Sequence, residues 1–69
     1  MKHYNDRLRE LRQDGDFAQK EIAAYLGIDQ RVYSTYETGV RSLPIEHLIK
    51  ICKFYKVSSD WILGLSENQ

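Results

Sequence analysis

Sixty-nine residues, 42 % hydrophobic and 29 % charged, suffice for one domain with a compact core, and a separate small-molecule effector domain is not expected within them. Ten basic residues balance ten acidic ones, so no bulk charge attracts a partner, and any positive surface has to come from sorting charges by face. A single cysteine, Cys52, excludes an intrachain disulfide and a CxxC metal site, and the apolar runs fall far short of the about 20 residues that span a bilayer.

The N-terminal "MKHYNDRLRE" lacks the apolar stretch of a signal peptide, so the expected location is the cytoplasm, with no membrane partner. Tyr4, Leu8 and Leu11 fall at i, i+4 and i+7 and predict a first helix from about residue 4 to Asp14, with Gly15 as its left-handed stop and charged residues on its other faces. Phe17 leads into "AQKEIAAYLG", where Ile22, Ala23 and Leu26 repeat at helical spacing and Gly27 ends the run. Asp29 suits the N-cap of a third helix, since its carboxylate can accept from the free N–H groups of the first turn. On that helix Tyr33, Tyr36 and Glu37 share one side, while Gln30, Arg31, Ser34, Thr35 and Thr38 share the other, and Gly39 fits the position after its end. Pro44 belongs in the first turn of a fourth helix, whose apolar stripe is Leu48, Ile51, Cys52 and Tyr55, widened by Ile45 and Ile49. In "VSSDWILGL" Ser58 or Ser59 caps a short fifth helix that Gly64 closes. No segment alternates with period two, so the reading is all-α: five helices in a single domain, residues 1–69.

Residues 19–38 hold two short amphipathic helices joined at one glycine, the second with a wholly polar outer side. That is the layout of a helix-turn-helix, whose second helix can enter the major groove of DNA. Gly27 answers the demand of the bend for a positive φ, which costs a residue with a Cβ about 1 to 2 kcal/mol.

Gln19, Ala23, Leu26-Gly27-Ile28, Ser34, the run Tyr36-Glu37-Thr38-Gly39 and "HLIKICKFYKVSSDWILG" together resemble the Cro/C1-type, lambda-repressor-like DNA-binding domains (XRE family) of phage and bacterial regulators. The resemblance extends from about Arg7 to Gly64. It implies a compact five-helix lambda-repressor-like fold in which Gln30, Arg31 and Thr35 face base edges. Gln19, Ser34, Thr38, Gly39 and Arg41 would lie along the sugar-phosphate chain, with Gln19 also positioned to brace Gln30. Arg12 would pair with Glu37 beneath the recognition helix. Four departures from the family pattern stand out: Ala18 lacks a capping side chain, Tyr33 is bulkier than the usual Ile or Val, Val40 replaces a commonly basic residue, and Asp29 adds a negative charge near the backbone. With zero net charge, they imply modest affinity.

The plainer readings stand beside these. Arg31 alone on a polar face would be an ordinary solvated residue; only the helix-turn-helix context makes it a base or phosphate contact. Val32 fits either a thymine methyl or an ordinary surface position. His47 and Cys52, five residues apart, project from different faces of one helix, and neither His3 nor His47 has a partner at metal spacing. No catalytic set, metal site or cofactor loop is found, so neither an enzyme nor a cofactor is expected. The expected function is sequence-specific binding of double-stranded operator DNA by a transcriptional regulator, a repressor, acting as a homodimer on an inverted repeat. Trp61, Ile62 and Leu65 form the candidate dimer surface, with completion of the monomer core as the alternative for Trp61. The rival is a protein-interaction module of the same fold that binds a regulator or toxin instead of DNA.

Overall fold

A computed structural model describes residues 3–68, and among these the chain folds as α1 (Tyr4–Asp14), α2 (Gln19–Leu26), α3 (Gln30–Thr38), α4 (Ile45–Tyr55) and α5 (Ser59–Ile62), with no strand. The first three helices pack on one another through Leu8 and Leu11 of α1, Ile22, Ala23 and Leu26 of α2, and Tyr33 and Tyr36 of α3. Ile51 of α4 and Trp61 and Ile62 of α5 close the same core from the far side. Ala23 is buried in the same core, on the face of α2 that Ile22 and Leu26 also occupy.

Local chemistry sets the helix limits. Gly27 ends α2 at φ +74, where its N–H donates to the Ala24 carbonyl (3.1 Å) and the N–H of Ile28 to that of Ala23 (3.0 Å). These two bonds fold the chain back so that only Gly27, Ile28 and Asp29 separate α2 from α3. Asp29 caps α3 as expected, its carboxylate accepting from the Arg31 N–H at 2.8 Å. Ala18 has no acceptor to offer α2, but Glu21 reaches back and accepts from the Ala18 N–H at 2.9 Å, half of a capping box. Of the two serines before α5 it is Ser58 that caps, accepting from the Trp61 N–H.

Three expectations are corrected. Gly15 is not the left-handed stop of α1: its φ is −88, and the left-handed residue is Asp16 at φ +59, one position later. Glycine is used at 15 for space instead, since a Cβ there would lie 2.7 Å from the Phe17 ring, which folds back against the helix end. Pro44 precedes α4 as its N-cap rather than entering its first turn. Ile45 and Ile49 do not widen the core stripe; both are exposed, because their directions on α4 diverge from the Leu48, Ile51 and Tyr55 side that faces α2 and α3.

Candidate nucleic-acid interface

The surface expected to meet DNA is built on α3 and the loop after it. Tyr33, Tyr36 and Glu37 turn inward and are buried; Gln30, Arg31 and Thr38 are exposed, and Ser34 and Thr35 are half-buried beside them. The Arg31 side chain is 96 % exposed. Thr35 turns its hydroxyl back to donate to the Val32 carbonyl, and Thr38 donates to the Thr35 carbonyl at 3.3 Å, which leaves both hydroxyl oxygens free to accept from outside. Val32 is half-buried and packs against the core, so it is not an ordinary surface valine. Past Gly39, at φ +83, the Arg41 N–H donates to the Thr35 carbonyl at 3.2 Å and holds the loop against the end of α3.

Beneath this surface lies the expected pair. Arg12 donates to Glu37 through two parallel bonds, Nε to Oε2 at 2.7 Å and Nη2 to Oε1 at 3.0 Å, while its Nη1 donates to the Phe17 carbonyl at 3.1 Å. The pair is largely dry, with side-chain exposures of 15 % for Arg12 and 3 % for Glu37. Burial alone would raise the Glu37 carboxyl, but hydrogen bonds from Arg12, Tyr33 and Gln19 outweigh it and hold the group below its ordinary value. The hydrogen bond to Glu37 likewise raises the Arg12 guanidinium. Tyr33, bulkier than the family norm, is accommodated because its hydroxyl joins this network; burial first and the carboxylate second push its ionisation up.

Gln19 also meets Glu37. In the free protein its Nε2 donates to Glu37 Oε1 at 3.2 Å, so its amide takes part in the buried network. The reason is position: Gln19 opens α2 over the last turn of α3, where the carboxylate is the strongest acceptor in reach.

Two participants escaped the sequence reading. Asn5 donates from Nδ2 to the Glu37 carbonyl at 3.2 Å, tying α1 to the last turn of α3. Arg7 is buried, its guanidinium 4.6 Å above the centre of the Trp61 ring, with Nη1 donating to the Trp61 carbonyl at 2.8 Å and Nη2 facing Glu67 at 3.3 Å. A signal for Arg7 did exist, because it lies three residues after Tyr4 and four before Leu11, inside the apolar stripe. Trp61 and Ile62, proposed for a dimer surface, are corrected: both are core residues, because α5 turns these two inward and leaves Ser59 and Asp60 as its outer face. Of the three, only Leu65 is exposed, at 75 %. Among the described residues no group of three or more His, Cys, Asp or Glu could hold a metal ion, and no helix is long and apolar enough to cross a membrane.

An all-α domain with two short helices joined at a left-handed glycine, the second helix polar outside and ion-paired beneath, defines the helix-turn-helix class. The sequence profile of the helix-turn-helix family matches residues 8–62, and the chain belongs to that family in its Cro/C1-type form. It is similar to the transcriptional regulator ImmR of Bacillus subtilis, 39 % identical over 61 residues that cover 88 % of this chain and 48 % of ImmR. It is also similar to the cryptic phage CTXphi transcriptional repressor RstR of Vibrio cholerae, 35 % identical over 64 residues, 93 % of this chain and 58 % of RstR. The chain thus spans about half the length of these curated relatives. In three dimensions it matches the P22 c2 repressor protein, crystallised with a synthetic operator, with a TM-score of 0.85 at 20 % identity over 96 % of this chain and all of the other, a likeness of fold.

Proposed function

We propose that this chain is a transcriptional regulator, a repressor, that docks α3 in the major groove of double-stranded operator DNA, with Gln30, Arg31 and Thr35 reading base edges and Gln19, Ser34, Thr38, Gly39 and Arg41 along the phosphates. The observation that carries the reading is the polar outer face of α3, with Arg31 wholly in solvent on a helix held from below by a dry Arg12–Glu37 pair. A fixed helix presenting a solvent-exposed guanidinium with both terminal nitrogens open can form two parallel bonds to guanine O6 and N7. The repressor names of the relatives support the same assignment.

One such helix reads few bases, so the protein acts as a homodimer on an inverted repeat. Half-sites about 34 to 36 Å apart suit the molecule, whose longest dimension of 29 Å lets two copies lie side by side on one face of the duplex. Leu65, with the exposed Leu63 nearby, is what remains of the expected pairing surface. Val40, an exposed apolar residue beside Gly39, and the acidic Asp29 favour the protein-interaction reading. Selection of bound sites from random duplexes, followed by binding over a salt series, tests both. The expected result is a two-fold symmetric site, two protein copies per duplex and a salt-dependent affinity. Failure to retain any duplex, or retention insensitive to salt, would leave the protein-interaction reading in its place.

A further inference from the structure

Asp29 does two things with one oxygen. Its Oδ1 accepts from the Arg31 N–H at 2.8 Å, which anchors the carboxylate to the helix backbone, and the same atom lies 3.9 Å from the Arg31 Nε. The Nε side of the guanidinium therefore lies beside an acidic group, at the long end of an ion pair between two exposed side chains and without a hydrogen bond to it, and the two terminal nitrogens face solvent. A bare arginine attracts any phosphate it reaches, whereas one paired with a carboxylate is close to neutral as a unit and keeps its donors. Attraction to phosphate falls, but hydrogen bonding to an uncharged acceptor edge survives. We infer that Asp29 is a positioning residue that turns Arg31 from a phosphate binder into a reader of guanine, through O6 and N7, and so sets the specificity of the helix.

The inference rests on the DNA-binding reading above and extends it. It gives a reason for a negative charge at the front of the recognition helix of a protein with no net charge to spare: the cap raises selectivity at the expense of general affinity. Other N-cap residues would satisfy the Arg31 N–H equally well, so capping alone does not require aspartate.

Asp29→Asn keeps the cap and removes the charge; Arg31→Ala and the double variant complete a cycle. Each is titrated with the selected duplex, with all substitutions at the base pair that Arg31→Ala identifies, and with an unrelated duplex over a salt series, and thermal melting checks that the fold is kept. For Asp29→Asn, discrimination at that base pair should fall about fivefold or more, toward the Arg31→Ala level. Binding to the unrelated duplex should tighten, with a salt slope steeper by up to about 0.9. In the Arg31→Ala background the same change should leave discrimination where it was. Discrimination intact in Asp29→Asn but lost in Arg31→Ala would overturn the role given to Asp29 and spare the DNA-binding reading. Equal effects of Asp29→Asn with and without Arg31 would do the same. Binding of all duplexes unaltered by Arg31→Ala, or no binding by the parent protein, would overturn both.

Discussion

Replacing Glu37 by Gln is the sharpest perturbation the fold offers. The carboxylate accepts both Arg12 bonds and the Gln19 amide, and Tyr33 contributes a further one. A glutamine keeps one acceptor oxygen and turns an NH₂ toward groups that are themselves donors, so the Arg12 charge stays in place with its counter-charge and one of its three hydrogen bonds gone. Breaking a buried pair from one side costs about 3 to 5 kcal/mol, and the 15 % exposure of Arg12 points to the lower end, about 3 kcal/mol. A domain of this size has roughly 3 to 10 kcal/mol in total, so a third or more of its stability is at stake. With a urea slope of about 1 kcal/mol/M, the midpoint should drop by roughly 3 M, and the melting temperature by about 12 to 24 °C. Urea unfolding followed by circular dichroism measures this directly. The cause is checked by the double variant Arg12→Met with Glu37→Leu, which should be more stable than Glu37→Gln because no lone charge is left inside. A Glu37→Gln midpoint equal to that of the parent would refute the reasoning.

Further predictions follow from other parts of the structure. The folded-state Glu37 value lies below the ordinary 4.5, so the unfolded chain takes up this proton first; the contribution is complete above about pH 4.5 and disappears as pH falls through the folded value, and acid titration of Glu37→Gln should lack that step. Tyr55 is pushed up to about 12 by burial and Tyr33 is raised too, so above pH 10.0 the unfolded chain loses protons first and stability should decline with rising pH, more gently in Tyr55→Phe. Gly27→Ala, with open space for its Cβ but φ +74, should cost about 1 kcal/mol through the backbone alone. Gly15→Ala, at an ordinary φ, should cost about as much through collision with the Phe17 ring, and Phe17→Leu should relieve only the second of these in denaturant melts. Arg31→Ala should cost about 1 to 3 kcal/mol on the selected duplex and relax choice at one base pair, whereas Arg41→Ala should weaken all duplexes alike and lower the salt slope by about one; the opposite assignment in titrations would exchange their roles.

What the sequence disclosed and what it concealed divide along a physical line. Periodicity and caps depend on residues a few positions apart, and the helices from Tyr4 to Ile62, the Asp29 cap and the Gly27 bend were all legible on that basis. The Arg12–Glu37 pair spans 25 residues, and only the family resemblance supplied it. Features that depend on which face meets which neighbour were misread or missed. Ile45 and Ile49 look like core by composition but point away from it, and Trp61 and Ile62 look like a sticky surface yet fill the interior, while Ser59 and Asp60 form the outer face of α5. Gln19 shows the same limit: an amide at that position can serve either the DNA or a buried acid, and only the location of Glu37 beneath it decides for the free protein.

The Arg7 contact carries a kinetic consequence. It joins residues 54 and 60 positions apart, the widest loops closed by a side-chain bond among the described residues, whereas the α2–α3 bend needs only neighbours in sequence. Loop closure of that length is slow to be rewarded during folding, so α2 and α3 should assemble early and the meeting of α1 with the chain end should come after the barrier. Arg7→Met should then accelerate unfolding while leaving the refolding arm of the chevron almost unmoved, which makes this buried guanidinium a latch on the lifetime of the native state rather than a guide to reaching it.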